Sequence, residues 1–354
     1  RRRAHGFARP AAPQIATGAL RTAPRGASGA AAVARPWGVV MDIDGVVVRG
    51  SQLIPGSAEA VRMLREERVP YAFMTNGGGV TEAAKARELS QLLGDPFITE
   101  AEVMLSHTPM RSLAQKYRGR RVLVVGAKDT LEVAKGYGFD GAVTPAQVAA
   151  GTASICPRGS ARNSELRSGA PAVDVNADGI GIDAVLIFYD PSDWCMELQV
   201  LTDAIAGGVP LGAPLCAGPS GAAPVRQAVE VYASNPDFVW QAAYPVPRFG
   251  QGAFVDCLRA LWRRLSGGSE LRVTEFGKPH RLQFDAVRDL LQEGAAGAGA
   301  LGRLYMVGDN PAADVRGANM AGDPWRSVLV CTGVYRGGPS GNAAGDPAWR
   351  VELD

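Results

Sequence analysis

Apolar and polar positions along this chain fall into two alternating rhythms. Short continuous apolar runs, the length of buried strands, begin at Trp37 and at Arg303 and occupy 70–75, 121–126, 184–189 and 327–333. Apolar residues recur at helical spacing near 57–68, over 81–93 behind a Thr81 cap, and over about 281–292. Phe254, Leu258, Leu261 and Leu265 share that spacing and are expected to pack on a sheet. Strands alternating with helices predict an α/β fold in which helices cover both faces of a parallel sheet. The stretch 157–182, rich in Gly, Ser, Ala and Asp, reads as a surface loop without rigid structure, and 336–354 as a poorly specified tail.

The chemistry collects where the apolar runs end. Trp37-Gly-Val-Val-Met-Asp-Ile-Asp-Gly delivers Asp42 and Asp44 two residues apart, so both are expected at the carboxyl end of one strand, where open parallel sheets bind ligands. Paired carboxylates can hold a divalent cation, attack phosphorus or exchange a proton with a leaving group. A calcium loop is excluded, because counting from Asp42 places Val46, Val47 and Leu53 where ligand, glycine and ligand are needed. Three later segments share the strand-then-polar-turn construction. Thr75 and Asn76 precede three glycines and could donate hydrogen bonds to phosphoryl oxygens. Lys278, before Pro279, supplies a cation on an extended or turn segment. Asp309 ends a strand, and Asp314 lies in the first turn of a helix capped by Asn310 with Pro311 behind it; both can face one cation. Singly, each has a plain alternative: a common turn, a solvated lysine, an aspartate serving a helix dipole.

Together these segments resemble the haloacid dehalogenase superfamily of hydrolases, whose four motifs appear as Asp42-Ile-Asp44-Gly45, Thr75-Asn76, Lys278-Pro279 and Gly308-Asp309 followed by Asp314. The long interval between the second and third motifs resembles class II members, with a cap inserted there. Asp-Ile-Asp-Gly-Val, Thr-Asn-Gly-Gly and Gly-Lys-Pro are similar to subclass IIA, and segments such as 190–194, 235–237 and 244–254 to its organellar cat-eye-syndrome-critical-region branch. The resemblance implies a Rossmann-like, doubly wound parallel core over 37–95 and 248–340, an α/β cap of the C2 type over 96–247 and a tail at 341–354. It also implies Mg²⁺-dependent hydrolysis of a small phosphate monoester. In that scheme Asp42 is the nucleophile that becomes an aspartyl-phosphate, and Asp44 is the general acid and then the base. Thr75, Asn76 and Lys278 hold the phosphoryl group. The metal is held by Asp42, the backbone carbonyl of Asp44, Asp309 and Asp314. Asp44 separates this chain from the superfamily's dehalogenases, which lack it, and from its membrane-spanning ATPases, which carry threonine there. A scaffold protein on the same fold, or phosphotransfer to an alcohol instead of water, would use the same residues. Asp190, Asp193, Trp194, Tyr244, Arg248 and Phe249 could touch the leaving group or pack between cap and core.

Composition adjusts this picture at the amino-terminal end. Residues 1–36 hold seven arginines and no Lys, Asp or Glu, so a formal charge of +2 becomes −5 once they are set aside. An arginine-rich, acid-free, alanine-rich leader reads as a transit peptide, mitochondrial first and chloroplast second; a disordered arm that binds nucleic acid is the alternative. A body near −5 argues against nucleic acid as substrate, and no apolar stretch approaches the ~18 residues that span a bilayer. Association of copies through the cap is left open. Five scattered cysteines form no paired pattern, and the three histidines have no metal spacing, which disfavours disulfides and structural zinc. No dinucleotide or P-loop fingerprint occurs.

Overall fold

The computed structural model describes residues 37–157, 169, 171–177, 179–216, 224–240, 244, 246–294, 300–335 and 337. The expected leader, much of 157–182 and nearly all of the tail lie outside them.

Two five-stranded parallel sheets organise these residues. The first has the order Trp325–Leu329, Arg303–Gly308, Trp37–Met41, Tyr71–Met74, Val103–Met104. Its strands alternate apolar side chains between two faces, as the period of two requires. Val40, Ala72, Met74 and Met306 pack with Phe284, Val287 and Leu291 of the Arg281–Gly294 helix. Met41 and Phe73 point the other way, to Val61 of the Ser57–Glu66 helix and Leu89 and Leu93 of the Glu82–Leu93 helix. That second helix starts as expected, with the Thr81 side chain accepting from Ala84 N. The chain leaves Trp37–Met41 toward one edge of the sheet and later returns on its other side. The topological switch point therefore lies between Trp37–Met41 and Arg303–Gly308, whose next residues are Asp42 and Asp309.

The second sheet has the order Val273–Glu275, Glu230–Ala233, Ala184–Ile187, Arg121–Val125, Gly141–Val143. It moves the expected boundaries between core and cap. Val103–Met104 belongs to the first sheet, so the core continues past residue 95. The Gln251–Leu265 helix and Val273–Glu275 belong to the second, not to the core that was expected from 248. The buried face of that helix also differs: Phe254, Leu258 and Trp262 pack with Leu123, Val185 and Val231, whereas Leu261 and Leu265 are exposed. Both spacings lie near the helical period, so packing against the sheet, not periodicity, selects Trp262.

Three local expectations also shift. The last core strand is Trp325–Leu329 instead of 327–333. Behind Asn310 the helix opens with a π-turn, Pro311–Val315, before the Arg316–Ala321 α-helix. Part of the expected loop is packed: Val173 N donates to Gln147 O, and Val175 is fully buried in the cap core. None of the described helices is long and apolar enough to cross a membrane.

Candidate active site

The segments that follow the carboxyl ends of both sheets meet each other. Ser106, past one core strand, donates to Ser234, past a cap strand, at 3.2 Å. Asp129, past another cap strand, donates its N–H to Gly79 O at 2.9 Å. Lys278 follows Val273–Glu275 of the cap sheet by three residues, yet its side chain reaches the core carboxylates.

Lys278 is the centre of the site. Its Nζ lies 2.8 Å from Asp42 Oδ1 and 2.7 Å from Asp314 Oδ1, and donates to Met74 O at 3.2 Å. The lysine is only 2% exposed. Burial alone would lower its pKa, but attraction by Asp314 and Asp42 outweighs burial and raises it, so the ammonium stays charged. Burial likewise raises Asp42 well above the ordinary carboxyl value; Lys278 opposes this and Asp314 adds to it.

Oxygens of Asp42, Asp309 and Asp314 lie within 4.8 Å of one another, and all three residues are buried. Glycines permit this approach. A Cβ at Gly45, whose φ is +90°, would stand 2.4 Å from Asp309 Oδ2, and one at Gly333 would stand 1.9 Å from the same atom. Val334 N donates to Asp309, and Asn310 N donates to Asp314 Oδ2 at 3.0 Å. Burial and the neighbouring Asp314 raise Asp309, while the Val334 N–H works against them. Among the described residues, three buried carboxylates against one ammonium leave two formal negative charges without a cation. An all-oxygen set with that charge fits a hard divalent cation.

Asp44 is exposed, and its side chain is not among the clustered carboxylates. Enough protein surrounds the side chain that burial raises its pKa, with Lys85 and Lys278 opposing.

Thr75 is buried with its Oγ1 accepting from Gly77 N at 2.9 Å, which leaves its own O–H to donate. Asn76 departs from expectation. Its Oδ1 accepts from Lys278 N at 2.8 Å, and its Nδ2 donates to Lys278 O at 2.9 Å and to Asp237 Oδ1 at 3.2 Å. The amide is committed to holding Lys278, so it is not available to a phosphoryl oxygen.

Two residues of this network were missed in the sequence. Gln283 Oε1 accepts from Lys278 N at 2.7 Å, and its Nε2 donates to Thr75 O at 3.1 Å. Gln283 lies on the same helical stripe as Val287 and Leu291, and a glutamine on an apolar stripe was the available signal. Asp237, which accepts from Asn76, lies in the 235–237 segment that carried the branch resemblance, where no role was assigned to it. Of the suggested leaving-group contacts, Trp194 packs against Phe249 and Phe254, and Asp193 caps the Trp194–Ala206 helix.

The chain is similar to known proteins. Residues 39–140 match the family described as haloacid dehalogenase-like hydrolase, and 275–352 match the HAD-hydrolase-like family. A mitochondrial hydrolase of Saccharomyces cerevisiae is 34% identical over 84% of this chain and 87% of its own length. The chain belongs to the haloacid dehalogenase-like hydrolases. A fission-yeast relative of this hydrolase, a cardiolipin synthase (CMP-forming) / mitochondrial hydrolase fusion protein of Schizosaccharomyces pombe, is also 34% identical, over 83% of the chain. The hydrolase spans about half of that relative's length, 48%. Among solved structures, the magnesium complex of a glycerol phosphate phosphatase from Mycobacterium tuberculosis shares the fold. Its TM-score is 0.58, with 20% identity over 90% of this hydrolase and 74% of that chain.

Proposed function

We propose that this hydrolase is a phosphatase that cleaves small phosphate monoesters through an aspartyl-phosphate on Asp42, with Mg²⁺ as its cofactor. The observation that carries the reading is Lys278 Nζ held between Asp42 and Asp314, at 2.8 and 2.7 Å, beside the third carboxylate Asp309. A carboxylate approaching an anionic phosphate at ~3.5 Å meets roughly 5 kcal/mol of repulsion per charge pair at an effective dielectric of ~20. That obstacle corresponds to three to four powers of ten in rate, on the order of what a lysine and a divalent cation would remove. Asp42, Asp309, Asp314 and the Asp44 carbonyl would hold Mg²⁺, which when bound neutralises phosphoryl charge.

The chain's own groups do the rest. Asp42 attacks phosphorus, the ester P–O bond breaks, and the departing alcohol takes a proton from Asp44. The Asp44 carboxylate then takes a proton from water as that water attacks phosphorus, which releases inorganic phosphate and restores Asp42. The raised pKa of Asp44 supports the first of its two roles, since an acid must carry its proton when the alcohol leaves. Lys278 Nζ and the Thr75 O–H hold phosphoryl oxygens in line. Asn76 and Gln283 keep Lys278 in place.

The substrate is a small phosphorylated metabolite, not nucleic acid, and the compartment is the mitochondrion. The arginine-rich segment 1–36 and the mitochondrial names of two yeast relatives support that location. The test is phosphate release from a panel of monoesters with Mg²⁺ or EDTA. Release that needs both the metal and Asp42 is expected; full release by Asp42→Asn removes the reading.

A further inference from the structure

The four motifs grip a phosphate and leave the alcohol to the cap. Among the described residues that directly follow the cap strands, two carry a positive charge: Lys278, which serves the core carboxylates and the phosphoryl group, and Lys128. Lys128 follows Arg121–Val125 by three residues, in the turn whose Asp129 N–H donates to Gly79 O of the core's glycine loop. Its side chain runs along that loop, with Cδ 3.3 Å from where a Cβ of Gly79 would stand. Its ammonium lies 4.3 Å from the centroid of the Tyr189 ring.

Three features set this lysine apart from an ordinary surface charge. Its backbone is left-handed, with φ +62°, a conformation that costs a lysine of order 1 kcal/mol or more and that collects at functional sites. No carboxylate among the described residues lies within salt-bridge distance of it, while the other cation on this side, Lys85, is already paired with Glu88 at 2.7 Å. The turn that carries it is also tied to the segment after Ala184–Ile187, where Ala127 N donates to Asp190 O at 2.9 Å.

We infer that Lys128 is a specificity-determining residue, and that the preferred substrate is a phosphate monoester whose alcohol part carries a second anionic group, a carboxylate or another phosphate. The inference rests on the phosphatase reading above and names the substrate class of that site. With one phosphate bound at Lys278 and Thr75, the alcohol extends past Asp44 toward the cap. Lys128 waits there with an unpaired charge, held over Tyr189.

The test uses the full chain with Mg²⁺ and matched esters: phosphoglycolate against ethyl phosphate for the carboxylate, and glycerol bisphosphate against glycerol phosphate for the second phosphate. At least one anionic ester is expected to exceed its neutral partner about tenfold in kcat/KM, an advantage that shrinks with added salt. Lys128→Asn, which tolerates the left-handed backbone, is expected to erase that advantage through KM and leave the neutral ester unchanged; Lys128→Arg restores most of it. Equal turnover of both esters by the wild type, or an equal loss on both in Lys128→Asn, overturns the inference and leaves the phosphatase reading intact. Binding to Asp42→Asn chains with and without Lys128→Asn, followed by calorimetry, reads the same preference when nothing is hydrolysed. Absence of hydrolysis with a retained, Lys128-dependent preference overturns the phosphatase reading alone, and absence of any preference overturns the inference.

Discussion

Asn76 grips Lys278 by both halves of its amide, accepting from the lysine N–H at 2.8 Å and donating to its carbonyl at 2.9 Å across 202 residues of sequence. This pair is the joint at which the cap's last strand hands its lysine to the core. Removing the amide in Asn76→Ala leaves a buried carbonyl without its donor, which costs about 1–3 kcal/mol. It also loosens Lys278, so kcat is expected to fall on the order of a hundredfold with KM changed little. Thermal unfolding and steady-state kinetics on one preparation check both.

Lys278→Met places the buried carboxylates together without their ammonium. Breaking a buried ion pair from one side costs roughly 3–5 kcal/mol, and this loss should be greatest without metal. The carboxyls of Asp42 and Asp309 are already raised in the folded chain. A raised acid contributes stability fully below its unfolded pKa and loses it as pH climbs through the folded one. The metal-free variant should therefore lose stability as pH rises above the ordinary carboxyl value of 3.8, more steeply than the metal-free wild type. Unfolding in EDTA across that range checks it, and equal slopes for the two proteins would count against the charge assignment.

Stabilisation by Mg²⁺ should grow over the same interval, because protons and the cation compete for the same oxygens. The readout is the difference in melting temperature between Mg²⁺-loaded and EDTA-treated wild type from pH 4.5 to 7.5. A difference independent of pH would contradict metal binding by Asp42, Asp309 and Asp314.

Asp237 offers a change in the opposite direction. Burial pushes its carboxyl up to about 6, with Lys278 and Asn76 opposing. The stability it contributes is complete below 3.8 and lost as pH rises through about 6. Asp237→Asn still offers Asn76 an amide oxygen, so it should stabilise the protein by about 1–2 kcal/mol at pH 7.5 and by little at pH 4. Denaturant titrations at the two pH values make the comparison.

Gly45→Ala should be far worse than its single methyl suggests. The new Cβ would meet Asp309 Oδ2 at 2.4 Å, and φ +90° is strained for any L side chain. Mg²⁺ affinity is expected to drop at least tenfold together with stability, whereas Gly94→Ala, also at positive φ but with open space around it, should cost stability alone. Calorimetric titration of Mg²⁺ separates the two.

Much of this was legible in the sequence, for reasons that differ by element. The Trp37–Met41 strand and its carboxylates were visible because an apolar run and a polar end coincide. Lys278, Asp309 and Asp314 were visible because they stand at the same structural point of later segments. The Val273–Glu275 strand was not: three residues, Val-Thr-Glu, with none fully buried, give no apolar signal, so the cap's true extent was hidden. The partner of Asn76 was hidden as well, since an amide's hydrogen bonds depend on which distant segment the fold brings to it. Trp262 was passed over for Leu261 because both lie near the same stripe, and only packing against Leu123 and Val185 decides between them.

The most direct measurement is mass spectrometry of the hydrolase quenched in acid during turnover of a monoester it hydrolyses. A phosphoryl adduct on the peptide containing Asp42, absent from Asp42→Asn and from a Mg²⁺-free control, is the expected result. Steady turnover with no adduct, together with an active Asp42→Asn variant, would contradict the account.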